Sequence, residues 1–234
     1  MKTVTLKEAW SGQANCLQCT IRSSVLFAGV SEESFHSIHQ PIDQYSLKPG
    51  LTLYHAGDPG EFMFTIRSGL VKLVQYLPDG DQRIVRLARA TDLIGLELLV
   101  EPRYHHDAVI LQPTEVCRFQ AAMVNQLSRD NPRLHRELML RWHRALSEAD
   151  AWLTELSTGS ARARIARFVL RIVNGSKDSS CELFSREDMG AMLGITTETA
   201  SRTVAEFKRQ GFLKETSSNH FSVEVKKLRR IAEG

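Results

Sequence analysis

The chain has 234 residues, 42% of them hydrophobic, and 30 Lys and Arg against 27 Asp and Glu give a formal charge of +3. This length favours two domains, and with no apolar run near ~18 residues and no signal-peptide pattern at the start, a cytoplasmic protein outside the membrane is expected. Four cysteines, Cys16, Cys19, Cys117 and Cys181, are too few and too scattered for a disulfide framework, so reduced thiols are expected.

Residues 1–30 read as an arm carrying Cys16 and Cys19 at a C-x2-C spacing suited to metal or redox chemistry. His36 and His39 follow, but both gaps of the resulting C-x2-C-x16-H-x2-H run lie outside zinc-finger ranges, and histidines three apart on a polar helix face are usually surface. The stretch "SEESFHSIHQ" predicts a short helix with Ser31 as N-cap and Glu33 near its positive end.

From Ile42 to Phe119, alternating or apolar runs are broken by Pro49-Gly50, Gly57-Asp58-Pro59-Gly60, Ser68-Gly69, Pro78-Asp79-Gly80 and Asp92. Punctuation every ~10 residues predicts an all-β barrel or sandwich within a domain of residues 31–130, with "VKLVQYLPDGDQRIVRL" as a hairpin. His105-His106 reads as a loop pair ahead of a strand.

Asn131-Pro132 opens a long helix, assigned to residues 131–158. Met139, Trp142, Leu146, Ala149, Leu153 and Leu156 recur at steps of 3, 4, 3, 4 and 3, the seam of a coiled coil, so this stripe is expected to pack on a second copy of the chain. The competing reading turns the stripe toward the barrel of the same chain. Thr158-Gly159-Ser160 marks the hinge to a domain of residues 159–234. Residues 157–234 carry 14 Lys and Arg against 9 acids, whereas residues 1–156 carry 16 against 18, so the last third suits a polyanion.

Within it, Ser185 and Asp188 resemble a capping box, Gly194 makes a turn, Thr196 or Thr197 caps a second helix, and Gly211 stops that helix. Two short helices around a tight glycine turn, followed by "GFLKET", "SSN" and "HFSVEV", predict a winged helix-turn-helix. Ala200, Val204 and Phe207 point inward on the second helix, leaving Thr197, Glu198, Ser201, Arg202 and Ala205 outward. Arg202 can donate twice to guanine, Glu198 can accept from cytosine, and Ser201 can touch a base edge. Lys208, Arg209, Lys214, Lys226, Lys227, Arg229 and Arg230 are candidates for phosphates. Double-stranded DNA is therefore the expected partner. Residues 1–156 carry no Ser-His-Asp order, paired acid or phosphate-cradling glycine loop, so no enzyme is expected.

With "HAGDPGEFMFTIRSGLVKL", "DLIGLELL", the long helix and "LGITTETASRTVAEFKRQGFL", nearly the whole chain resembles the CRP/FNR superfamily of bacterial transcription regulators, on its FNR-like branch. The resemblance implies an α+β fold: an N-terminal jelly-roll β-barrel of the cyclic-nucleotide-binding kind, a dimerisation helix and a C-terminal winged helix-turn-helix. The family's E-x-x-S-R pattern falls on Glu198, Ser201 and Arg202, implying a homodimer on inverted TTGAT-like half-sites. The "LPDGDQ" turn resembles the loop that contacts RNA polymerase, with Asp79 and Asp81 as the candidate contacts.

Three departures bear on the signal. Where the cyclic-AMP-binding branch holds its ribose and phosphate segments, this chain has Gly95-Leu96-Glu97 and His106-Asp107-Ala108, so the phosphate-clamping arginine is missing and cyclic AMP is not expected. Oxygen-sensing relatives hold a [4Fe-4S] cluster on four thiolates, and here Cys16, Cys19 and Cys117 match three while the remaining position is Val25, which has no donor atom. Their dimer seam also carries an acid that opposes association, and that position is Ala149. Two readings stand at this point: a regulator responding to oxygen or redox state through the three cysteines, with a cluster or as a thiol switch, and a constitutive or differently triggered regulator whose cysteines are vestigial.

Overall fold

The computed structural model describes residues 9–16, 19, 21, 26–29, 42–173 and 179–233. Val25, and the expected helix over residues 31–40 with His36 and His39, lie outside the described residues.

The runs between the turn signals form β1 (Trp10–Gln13), β2 (Asp43–Leu47), β3 (Thr52–Tyr54), β4 (Phe62–Tyr76), β5 (Gln82–Arg89), β6 (Leu93–Ile94) and β7 (Asp107–Gln120). They build one sheet in the order β1-β2-β7-β4-β5, with β3 on β7 and β6 on β4, which curls into the expected jelly-roll-like barrel without closing. The long antiparallel pair β4 and β7 runs from Phe62 opposite Gln120 to Val74 opposite Asp107, with register shifts around Ser68 and Leu70. Gly69 explains the bulge: its φ is +88°, and a Cβ there would lie 2.3 Å from the Pro113 carbonyl oxygen. The inward faces supply Met63, Ile66, Val71, Leu73, Ile94, Ala108, Ile110, Val116 and Phe119 to the core.

Two described parts of residues 1–30 join the barrel. β1 pairs antiparallel with β2, Trp10 opposite Tyr45 and Gln13 opposite Asp43, and Leu26 and Phe27 are buried in the barrel core. An unpaired β2 edge would leave a row of peptide groups without partners, and β1 covers it.

After α1 (Ala121–Asp130), Asn131 caps α2 (Pro132–Ala151) by accepting the Arg133 and Leu134 amides, each at 3.1 Å. A π-helical turn at Trp152–Leu156 leads to α3 (Ala161–Val173), β8 (Ser180–Glu182), α4 (Arg186–Leu193), α5 (Thr197–Arg209), β9 (Leu213–Ser217), β10 (His220–Val223) and α6 (Val225–Ala232). The second core gathers Ile165, Phe168, Val169, Met189, Leu193, Val204, Phe207, Phe221 and Leu228. Contacts divide the chain between Leu146 and Ser147, inside α2, and group the hairpin tip Tyr76–Ile84 with the second unit.

Candidate nucleic-acid interface

In the second unit the polar caps are spaced as the sequence implied. Ser185 Oγ accepts the Asp188 amide at 3.0 Å and donates to Asp188 Oδ2 at 2.7 Å, starting α4. The helix ends at Gly194, whose φ of +62° lets its amide reach the Gly190 carbonyl. Thr196, rather than Thr197, caps α5, its Oγ1 accepting the Thr199 amide at 3.1 Å. Gly190 carries the close approach of α4 to this turn, because a Cβ there would sit 2.7 Å from the Ile195 carbonyl oxygen.

Burial of Ala200, Thr203, Val204 and Phe207 orients α5, and Thr203 satisfies its hydroxyl by donating to the Thr199 carbonyl at 2.9 Å. Thr197, Glu198, Ser201, Arg202 and Ala205 are all exposed on the opposite face. Arg202 and Glu198 stand 4.0 Å apart across one turn, with 73% and 82% of their side chains exposed. So exposed a pair contributes little to stability, and both groups are available to a ligand.

Lys208, itself exposed, is hydrogen-bonded to Glu215 of the wing, whose carboxyl that ammonium holds below the usual carboxylate range. Arg209, Lys214, Lys226, Lys227, Arg229 and Arg230 are exposed. The last four ride on α6, which packs its buried Leu228 inward and was not anticipated as a helix.

Sequence reasoning also missed the arginines of α3. Arg164 Nη1 donates to the carbonyls of Leu193 at 2.7 Å and Gly194 at 3.3 Å, satisfying the orphan acceptors at the C-terminal end of α4. Arg162 pairs with Glu206 at 3.0 Å and donates to Gln210 at 2.7 Å, clamping the far end of α5. The one available signal was the repetition of arginine along an amphipathic segment, which looked like hinge charge.

Along α2 and the turn after it, Met139, Trp142, Leu146 and Leu153 are 50%, 37%, 63% and 64% exposed, and Ala149 is exposed as well. Leu156 departs from the expected seam, being fully buried within its own chain. A π turn advances fewer degrees per residue than an α turn, so by its end the stripe has rotated inward. At the β4–β5 tip, Asp79 and Asp81 are exposed, and Asp79 Oδ1 accepts the Asp81 amide at 3.0 Å.

Cys16 and Cys19 are half-buried, as is Cys117 on β7. Burial pushes the Cys117 thiol up, partly opposed by Arg67. Among the described residues no three His, Cys, Asp or Glu side chains converge as a metal-holding group. With Val25 at the remaining position, the chain supplies three of the four thiolates such a cluster takes. His105 is taken by Glu101 at 2.7 Å, an ordinary exposed pair.

In the barrel, the His106-Asp107-Ala108 segment is held by its own contacts. Asp107, only 8% exposed, accepts the Ala56 amide at 2.8 Å and pairs with His55 at 3.0 Å. Burial pushes the His106 pKa down, favouring its neutral form. Tyr54 and Tyr104 stack with ring centroids 3.7 Å apart.

Comparison with known proteins places these two regions separately. Residues 44–131 match the cyclic nucleotide-binding domain and residues 163–233 the Crp-like helix-turn-helix domain. The transcriptional activator protein anr of Pseudomonas aeruginosa is 28% identical over 216 residues, covering 89% of this chain and 88% of that protein. The nitrogen fixation regulation protein FixK of Bradyrhizobium diazoefficiens is 27% identical over 202 residues, covering 84% of each. Among solved structures, FixK2 from Bradyrhizobium japonicum superposes with a TM-score of 0.74 at 23% identity, over 81% of this chain and 96% of that one, a likeness of fold.

Proposed function

We propose, for a chain that belongs to the CRP/FNR superfamily of transcription regulators, that it acts as a homodimer whose paired α5 helices read inverted TTGAT-like half-sites. It is a DNA-binding helix-turn-helix regulator and not an enzyme. The observation that carries the finer reading is the joint exposure of Glu198, Ser201 and Arg202 on one face of α5, over a turn that Gly190, Gly194 and Arg164 hold tight. Residues of this type in a major groove give direct base readout, while Arg209 and Lys214 supply the salt-dependent contacts to phosphate. The exposed Met139, Trp142, Leu146, Ala149 and Leu153 supply the dimer seam.

Relatives named as activators support the same role here, with Asp79 and Asp81 as the contacts to RNA polymerase. A DNA-binding role fits the cytoplasm, and no helix among the described residues is long and apolar enough to cross a membrane. On the signal, a response to oxygen or redox state would run through Cys16, Cys19 and Cys117 as thiols. The donor set favours the second reading, a regulator competent without a cluster, because Val25 offers no ligand and Ala149 no repulsion. Cyclic AMP is not expected as its effector, because His106-Asp107-Ala108 lacks the phosphate-clamping arginine of the cyclic-AMP-binding branch.

The test is a gel shift of metal-free protein on TTGAT-N4-ATCAA and on a scrambled duplex. Specific binding is expected, and Arg202→Ala should weaken it by roughly 5- to 150-fold, the ~1–3 kcal/mol of a bidentate base contact. Unchanged specific binding by that variant would remove the reading, and metal and sulfide found in protein purified without air would restore the cluster.

A further inference from the structure

The seam of α2 faces outward only because the helix is set at one rotation on the barrel, and the side chains that set it are unequal in kind. Leu134 and Leu138 are buried, at 1% and 3% exposure, but apolar contact is non-directional and tolerates rotation. The third buried residue of the face is Arg141, 7% exposed, whose Nη1 donates to the carbonyl of Thr91 at 2.8 Å. Burying a guanidinium opposes folding, and its pKa is pushed down by that burial and by neighbouring Arg144. A methionine or leucine would cover the same surface without desolvating a charge. What arginine adds is a direction.

Its acceptor is equally unusual. Thr91 has φ +79°, a left-handed conformation that a β-branched residue rarely adopts, in the turn between β5 and β6. That turn is locked from below: the Thr91 amide donates to the Ile66 carbonyl at 2.8 Å, the Ile66 amide donates to the Asp92 carbonyl at 2.9 Å, and Asp92 Oδ2 accepts the Arg89 amide at 2.8 Å. Ile66 lies on β4 and is fully buried at the barrel centre. A continuous set of bonds therefore runs from the barrel core, through a strained turn, to the outer helix.

We infer that Arg141 is a positioning residue for dimerisation: by anchoring α2 to the Thr91 carbonyl it fixes the rotation at which Met139, Trp142 and Leu146 face a second copy. The inference rests on the homodimer reading above. It also makes the β5–β6 turn the point at which a rearranged barrel core would turn the seam, since moving Ile66 moves the acceptor.

The experiment compares full-length wild type, Arg141→Met, Arg141→Lys and Leu138→Ala by sedimentation equilibrium and by thermal unfolding. Arg141→Met keeps the burial and loses the directed bond, so the dimer dissociation constant should rise about tenfold, with Arg141→Lys restoring part of the loss. Leu138→Ala removes apolar packing from the same face, so it should lower the melting temperature at least as much while moving the dissociation constant less. A dissociation constant within twofold of wild type in Arg141→Met would overturn the inference, as would an equal rise in Leu138→Ala. A wild type that stays monomeric, alone and on DNA, sinks the homodimer reading instead, and amide hydrogen exchange over residues 138–146 then decides. Faster exchange in Arg141→Met than in Leu138→Ala sustains the anchor, and equal exchange removes it.

Discussion

Replacing Gly190 by alanine sets two effects of opposite sign against each other. Position 190 lies inside α4 with ordinary helical geometry, where alanine is favoured over glycine by about 1 kcal/mol. Against this, the added Cβ would sit 2.7 Å from the Ile195 carbonyl oxygen and 3.5 Å from the Thr197 amide nitrogen. These are backbone atoms that cannot swing aside. The Ile195 amide donates to the Gly190 carbonyl at 3.2 Å, so pushing the turn away stretches that bond too. Overpacking costs typically about 1–3 kcal/mol, and a weakened hydrogen bond adds about 0.5–1.5 kcal/mol, so the clash outweighs the helix gain by about 1–3 kcal/mol. For a unit of ~90 residues this lowers the melting temperature by roughly 5 to 15 °C. It also shifts the start of α5, and with it Glu198 and Arg202, so affinity for the specific duplex should fall further than the stability loss requires. Calorimetry and a gel shift read the two quantities. A variant that melts higher than wild type and binds within twofold would refute the close-approach argument. Gly211→Ala is the control, because φ is +69° there but nothing lies within 4 Å of the new Cβ, leaving only about 1 kcal/mol of backbone strain.

Leu156→Ala should destabilise the chain by about 2–5 kcal/mol, since the side chain is fully buried, while Leu153→Ala at 64% exposure should leave unfolding within about 0.5 kcal/mol and, on the proposed homodimer, weaken self-association instead. The reverse pattern in denaturant titrations would mean that the π turn does not rotate the stripe. Cys181 is 6% exposed and its thiol is pushed up to about 11 by burial, so iodoacetamide at pH 8 should leave it unlabelled in the native protein and label it in urea. Because the unfolded thiol ionises first, this group favours folding less as pH rises from the ordinary thiol range toward 11, and rapid native labelling at pH 8 would contradict the burial. Millimolar cyclic AMP should move the melting temperature by less than about 1 °C, because a ligand stabilises only a site it occupies, and a shift of several degrees would overturn the reading of His106-Asp107-Ala108.

The helix-turn-helix was legible in the chain because everything that specifies it acts within a few residues. The Ser185 and Thr196 caps each bond three residues ahead, Gly194 supplies its own φ, and the 3.6-residue period assigns Ala200, Val204 and Phe207 to one face and Glu198, Ser201 and Arg202 to the other. The barrel was legible for the same reason, from turn residues and alternation. The heptad stripe pointed to a second copy, and family resemblance added the expected half-site, which no local pattern could supply.

What sequence could not specify was decided by partners far away along the chain. Arg164 meets Leu193 across 29 positions, Arg141 meets Thr91 across 50, and Asp107 meets Ala56 across 51. Whether a charged side chain is a solvated surface group, a helix clamp or a buried anchor depends on what the folded chain brings to it, as Lys208 and Glu215 show. Leu156 kept its heptad spacing and still turned inward, because the π turn changed the angle per residue without changing the sequence interval. Local periodicity thus determined which surfaces exist in this protein, and only tertiary packing decided which of them remain exposed to meet DNA or a second copy.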